Sequence, residues 1–455
     1  MSNISVESVL SEAPSVVAAL RREPFPPMTF LPMEFSNWQL EQRSWRDAAA
    51  FLDQSHHMVD LFVDGPDALK LFSDLGVNSF ANFTPGKAKQ FVAVAADGNL
   101  ISDAILFHLA DGGFDLVGLP IAARWVQFHA ETGGYDVTLE WDDNSFLRKG
   151  APKLYRYEVQ GPAALDVVNA SVDEPIADLR FFQMGEFVIA GRRVQVLKHG
   201  MAGASGFEFF GPWEDGEAVR DALFRGGEQF GLRRVGYRAY STLTLESAWI
   251  SLPVAAIYTG EAEKTYREWL PAAGNLGSLA GSFDSQDIRD YYVSPADIGY
   301  GKVVRFDHDF YGRDALEARQ GEESKTKVTL SWNGDDVADI FREQFAGPGD
   351  VLPPRLMTLP KDRAARYTYD AVLGADGGNV GFSLDTGYLG PDRRVLSLAM
   401  VDAAHAEPGT EVLVKWGEPE GSTRPDLVPH RQVEIRATVL PAPYSDYARD
   451  TYRKA

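Results

Sequence analysis

Residues 58–75, MVDLFVDGPDALKLFSDL, and residues 153–171, KLYRYEVQGPAALDVVNAS, repeat one grammar: an alternating strand, a Gly-Pro pair, then an Ala-Leu helix. Glycine tolerates the turn geometry, and proline, lacking an amide hydrogen, opens a helix at little cost. A chain that uses this unit twice is expected to build two related α+β halves. Its 455 residues leave room for two to four domains.

The rest of the pattern fills in around the two copies. Trp45, Ala48, Ala49 and Leu52 recur at helical spacing, and His57, Val59, Leu61 and Val63 alternate onto one face of a strand. Hairpins over 89–96 and 100–110 turn through Asp97-Gly98-Asn99, followed by a strand over 114–119 and a helix over 122–131. Strands near 186–189, 194–198 and 207–210 precede a helix around 217–230. From about residue 325, short apolar runs such as 380–384 and 411–416 alternate with glycine and proline turns, the mark of a β-rich unit. The fold class is therefore α+β: residues 1–150 form a first α+β domain with an N-terminal arm, 151–324 a second, and 325–455 a C-terminal β-rich domain.

Composition excludes several functions. A net charge of -21 disfavours a nonspecific nucleic-acid binder, because phosphate binding needs concentrated positive charge. With no cysteine, disulfides, iron–sulfur clusters ligated by cysteine and thiol nucleophiles are out. No apolar stretch reaches the roughly 18 to 20 residues that span a bilayer, so no membrane partner is expected. The first residues lack the basic start and apolar run of a secretory signal, and the reading is a cytoplasmic protein.

Three constellations carry chemistry. In Ser55-His56-His57 the histidines lack the further ligands a metal needs, so no metal is expected; His57 is either a structural residue or part of a proton network. The run from Gly200 to Glu208 carries Gly203 and Gly206 before an acidic strand residue, and fits neither nucleotide fingerprint. It is either a tight hairpin with a solvated glutamate or a turn that admits a flat heterocycle, with Glu208 accepting from an amidine-like edge such as a pterin's. Tyr240 stands ahead of Trp249 in a string rich in hydroxyl and aromatic groups; a phenol suits an ether oxygen and an indole suits stacking, although both also serve as core aromatics.

At these strings the chain resembles the tetrahydrofolate-dependent aminomethyltransferases of the glycine-cleavage T-protein fold, and within them the bacterial O-demethylases of vanillate and syringate. The likeness runs through EFSNWQLEQRSW at 34–45, DQSHHMVDL at 53–61, HGMAGASGFEFFGP at 199–212 and VGYRAYSTLTLESAWI at 235–250. It continues through DYYVSPADIGYG at 290–301 and FDHDFYGRDALEA at 306–318. The resemblance implies a three-domain ring around a folate channel, ending in a β-barrel-like domain. It implies that Glu208, beside Gly206, binds the pterin and that Trp249 walls the folate or substrate. It further implies that Tyr240, with His57 beside it, acts on the aryl ether, and that Asp103 lies near the folate. The methyl acceptor would be tetrahydrofolate and the partner a small aromatic methoxy compound.

Two departures bear on the substrate. The vanillate type places an arginine after the glycine matching Gly118, where it clamps a carboxylate, and this chain has Leu119. The vanillate type also carries a tyrosine in the arm, where this chain has Met28 and Phe30. The substrate expected is then either a dimethoxylated ring such as syringate or one that carries its carboxylate differently, with Arg124 or another base supplying a different clamp. Competing readings are a folate-dependent demethylase of a non-aryl donor and a non-catalytic folate binder; retention of both Tyr240 and His57 argues against the latter.

Overall fold

The computed structural model describes residues 4–25, 31–321, 325–347 and 349–452. Met28 and Phe30 lie outside the described residues. Each copy of the repeat seeds its own sheet. Val59–Asp64 sits in a five-stranded sheet between Phe114–Gly118 and Thr138–Asp142, with Leu100–His108 and Lys87–Val94 beyond. Leu154–Gln160 sits in a six-stranded sheet between Ala49–Asp53 and Gly206–Pro212. Helices Ala68–Leu75 and Ala164–Ser171 follow the two Gly-Pro turns, each starting two residues after its proline.

The glycines are where the duplication is most literal. Gly65 and Gly161 both take positive φ, +130° and +123°, which side chains rarely adopt. A Cβ on Gly161 would lie 2.7 Å from the Ala48 carbonyl oxygen, and one on Gly65 would run into the Asp136 carbonyl. The turn is specified by conformation and by space together.

Two local expectations are corrected. The helix over Trp38–Asp47 stops before Ala49, and Ala49–Asp53 is a strand, parallel to Leu232–Val235 and antiparallel to Leu154–Gln160. Ala49, Ala50, Phe51 and Leu52 are all buried, and such a run satisfies helix and strand patterns alike until two neighbours capture its backbone. This strand, early in the chain, thus belongs to the sheet seeded by the second copy. His57 lies in the turn before its strand, while Val59, Leu61 and Val63 fill the core face as expected.

The C-terminal part closes into a six-stranded barrel, with Thr326–Trp332, Arg394–Val401 and Val433–Leu440 among its strands and Trp332 packed edge-on against Trp416 at 5.5 Å. Among the described residues no helix is long and apolar enough to cross a membrane. Gly161→Ala is expected to destabilise the protein by roughly 1–3 kcal/mol, the scale of backbone strain without room to relax. Chemical denaturation checks this; an unchanged midpoint would show the turn tolerates a side chain.

Candidate functional site

Alternation along Leu154–Gln160 sends Tyr155, Tyr157 and Val159 into an apolar core with Ala164–Ser171 and Gly216–Gly227. The opposite face carries Arg156, Glu158 and Gln160. Glu208 lies directly across from Glu158, and Gly206 across from Gln160. Such a face would ordinarily meet water, yet Arg156 and Glu208 are 2% exposed and Glu158 and Gln160 0%. The solvated-glutamate reading of Glu208 is thereby set aside.

What covers the face is the other sheet. Arg156 donates to Glu208 Oε1 at 2.7 Å, to Asp60 Oδ1 at 2.8 Å and to Asp115 Oδ2 at 3.1 Å, the last two from the first sheet. Its guanidinium lies against the rings of Phe107 and Phe210, at 5.2 and 4.8 Å, and the two rings pack on each other at 5.0 Å. Asp60 and Arg156 occupy equivalent positions in the two copies, each five residues before the Gly-Pro glycine. Burial would discharge the guanidinium, but the three carboxylates outweigh it and raise its pKa. Burial and the neighbouring Asp60 push the Asp115 carboxyl well up against the pull of Arg156.

Tyr240, in the short helix Tyr237–Tyr240, hydrogen-bonds through its hydroxyl to His57 Nε2 at 2.8 Å, the rings edge-to-face at 5.0 Å. Both side chains are deeply set yet keep some accessible surface. Burial and the adjacent His56 lower the His57 pKa to about 4, so its ring is neutral. Burial, with Glu158 and Glu208 nearby, raises the Tyr240 phenol well above its ordinary value. The pair therefore stands as uncharged imidazole and protonated phenol. His56 turns elsewhere, to Ser145 Oγ at 2.8 Å. Among the described residues no group of three or more His, Asp or Glu side chains is placed to hold a metal.

The glycine-rich hairpin folds over this face. A Cβ on Gly206 would lie 2.7 Å from Gln160 Cβ, Gly203 takes φ +65°, and a Cβ on Gly200 would strike the Ala204 carbonyl. Met201 N–H donates to Glu158 Oε1 at 3.0 Å and Ala202 N–H to Gln160 Oε1 at 2.9 Å, while Met201 Sδ lies 3.5 Å from the Tyr240 hydroxyl. Gln54 Oε1 and Gln160 Nε2, one acceptor and one donor, are buried without a partner among the described residues. Buried polar atoms left open in this way flank Glu158 and fit a heterocycle with both donor and acceptor edges.

A second cluster forms around Asp103. Its Oδ2 accepts from Gln90 Nε2 at 2.8 Å, the Tyr300 hydroxyl at 2.8 Å and Trp249 Nε1 at 3.0 Å. Trp249 follows Ala248, whose φ of +54° is unusual for alanine and whose carbonyl accepts from Lys327 at 2.8 Å. Leu119 stands one residue beyond Gly118, which pairs with Val59 on one side and Ala104 on the other. The strand ends thus bring Leu119 between the His57 turn and Asp103. Arg124 is committed elsewhere, stacked on Trp141 at 4.1 Å and bonded to Gln127. The arm docks on the tyrosine helix: Tyr237 N–H donates to Pro32 O at 2.9 Å and Arg238 N–H to Met33 O at 3.1 Å.

Sequence reasoning overlooked Arg156, Glu158, Gln54 and Gln90. Their signal was present only as polar residues alternating on strands, which also describes a wet sheet. For a test of the proton assignments, His57 should stay neutral in an imidazole NMR titration from pH 8 down to about 5. Because the unfolded chain takes up that proton first, His57's contribution to stability is retained above about pH 6.5 and lost as pH falls towards 4. A midpoint near 6.5 in the folded protein would contradict the arrangement.

Comparison with known proteins agrees with this architecture. The model of the GCVT N-terminal domain matches residues 25–254. A syringate O-demethylase from Sphingobium sp. is 43% identical over 454 residues, covering 98% of this chain and 97% of that one. A sesamin methylene transferase from Sinomonas sp. is 29% identical over 446 residues, covering 92% of each. The crystal structure of the glycine cleavage system aminomethyltransferase T from Bartonella henselae superposes with a TM-score of 0.60 at 19% identity, covering 92% of each chain, and shares the fold. With more than half its length matched by the family model and a near-full-length relative at 43% identity, the chain belongs to the GCVT aminomethyltransferase family.

Proposed function

We propose that the protein is a tetrahydrofolate-dependent aryl O-demethylase. It takes a methoxy methyl from a lignin-type aromatic acid, syringate or a close relative, and yields a catechol and 5-methyltetrahydrofolate. The observation that carries the reading is the Tyr240–His57 pair, 2.8 Å apart beside the buried Glu208, in a chain 43% identical to a syringate O-demethylase. A reduced folate acceptor supports a cytoplasmic site for the reaction.

Tetrahydrofolate supplies, when bound, the amine nitrogen that accepts the methyl group. Glu208, the open amide atoms of Gln54 and Gln160 and the glycine hairpin are assigned to its pterin, and Trp249 and Asp103 to the neighbouring wall. A methyl ether is a poor electrophile because displacement expels a phenolate. Tyr240 lowers that barrier by donating its O–H to the ether oxygen as the carbon–oxygen bond breaks. With its imidazole neutral, the His57 tautomer protonated at Nε2 donates to the phenol oxygen, leaving the tyrosine proton free for substrate and steadying the charge that develops on tyrosine. The proton released from the accepting amine balances the one taken up by the catechol. Burial of the surrounding groups keeps water from competing and holds the reacting groups in fixed orientation.

The pure protein should generate 5-methyltetrahydrofolate from syringate only when tetrahydrofolate is supplied; undiminished demethylation without it would refute the acceptor. Tyr240→Phe should lower kcat by about two to four orders of magnitude with little change in either ligand's affinity. Turnover near the wild-type rate would remove the phenol from the mechanism. Leucine lacks the paired charge-assisted donors of an arginine, so the Leu119 side of the pocket is assigned to a second methoxy group rather than to a carboxylate. Leu119→Arg should raise kcat/KM for vanillate relative to syringate. Strong native activity on vanillate, with no gain on dimethoxylated rings, would contradict that role.

A further inference from the structure

Glu158 is the one carboxyl of the polar face to which the reaction above gives no role, and its surroundings are unusual. It is fully buried, and it accepts from Met201 N–H at 3.0 Å and Gln54 Nε2 at 2.5 Å. Directly across the strand pair stands Glu208, a second carboxyl on the same face. On the other side lies apolar Leu52. On its own strand Gln160 is uncharged and Arg156 is committed to Glu208, Asp60 and Asp115. The remaining titratable neighbours are Tyr240 and, hydrogen-bonded to it, His57. Among the described residues the groups facing Glu158 thus include no uncommitted cation, and two anions side by side in a dry site are strongly disfavoured.

Glu158 is also wired to the phenol. Gln54 Nε2, which donates to Glu158, lies 2.9 Å from Met201 Sδ, and that sulfur lies 3.5 Å from the Tyr240 hydroxyl. A negative charge on Glu158 holds the proton on Tyr240. Burial and Glu208 push the Glu158 carboxyl up to about 8, against the two donors.

We propose that Glu158 is a positioning residue for proton transfer from Tyr240: as the uncharged acid it permits release of the tyrosine proton to the leaving oxygen, and as a carboxylate it retains that proton and slows the reaction. This role rests on the demethylation reading. It adds no step to the reaction, because the proton still passes from Tyr240 to the aryl oxygen.

The test uses the full-length protein as wild type, Glu158→Gln and Glu158→Asp. It measures kcat from pH 6 to 9.5 with tetrahydrofolate and syringate, and thermal melts of the ligand-free proteins from pH 5 to 9. Wild-type kcat should fall above about pH 8, to roughly a tenth by pH 9, whereas Glu158→Gln should stay within about twofold of its own pH 7 rate. Glu158→Asp should keep an alkaline limb with a displaced midpoint. In the melts, the folded carboxyl holds its proton to about pH 8 while the unfolded one releases it near the ordinary carboxylate value. Wild-type stability should therefore fall as pH rises between those values, and Glu158→Gln should flatten the fall. A glutamine variant slowed equally at every pH, with the limb intact, would overturn the proposal and leave Glu158 a structural residue. If the glutamine variant does not fold, an unmoved limb in Glu158→Asp overturns it instead. Wild-type protein with no turnover at any pH would sink the demethylase reading itself, a different result from turnover with an unmoved limb.

Discussion

Arg156 is the interaction on which the rest of the structure depends. It is a single buried guanidinium, reaching three carboxylates across the seam between two sheets. The duplicated strands place Asp60 and Arg156 at equivalent positions, so the two halves meet where one copy carries an acid and the other a base. Asp115 and Glu208 are equivalent as well, each on the strand that pairs with its half's copy. One arginine thus does for two sheets what a symmetric pair of acids would prevent. A buried arginine held by several carboxylates owes its stability to all of them, and removal of one partner leaves uncompensated charge.

That seam is also why the site is polar and dry at once. Each sheet buries one face against its own helices and meets the other sheet through its second face, where the Arg156 cluster sits beside an apolar patch of Phe107, Val117, Met184, Leu197 and Phe210. The guanidinium neutralises part of the acid there, Phe107 and Phe210 close over it, and Glu208 is held in place at the edge of the cluster. The hairpin with Gly200, Gly203 and Gly206 then packs its amides onto Glu158 and Gln160, which only glycine permits at those approaches. Tyr240 reaches the same region from a helix that the arm buttresses through Pro32 and Met33. Glu41 accepts from Phe35, Ser36 and Gly236 amides and fixes the arm to that helix.

The sequence made the duplication, the β-rich C-terminal part and most elements legible, because alternation and Gly-Pro punctuation are local signals. It offered Tyr240, His57, Glu208 and Trp249 as candidates whose residue types fit structural roles equally well, and only long strings shared with a family favoured a role in a site. The misassigned segment, Ala49 to Leu52, is apolar on every side, and periodicity carries no information in such a run. The polar strand LYRYEVQ failed for the opposite reason. Its alternation was read correctly, but whether Arg156 and Glu158 meet water or a second sheet is a fact of tertiary packing. Gln90 and Tyr300 converge on Asp103 from segments about two hundred residues apart, and no spacing rule connects them.

In the proposed reaction an intact methyl group moves from an aryl oxygen to a folate nitrogen at the seam between the two halves. The most direct measurement follows a carbon-13 label in the methoxy group of syringate by NMR during a single turnover with excess enzyme and tetrahydrofolate. Direct transfer predicts that the label appears in the N-methyl resonance of 5-methyltetrahydrofolate, in step with loss of the methoxy signal and with no free one-carbon species. Label released as methanol or formaldehyde, or retained on the ring while the protein binds both ligands, would contradict it.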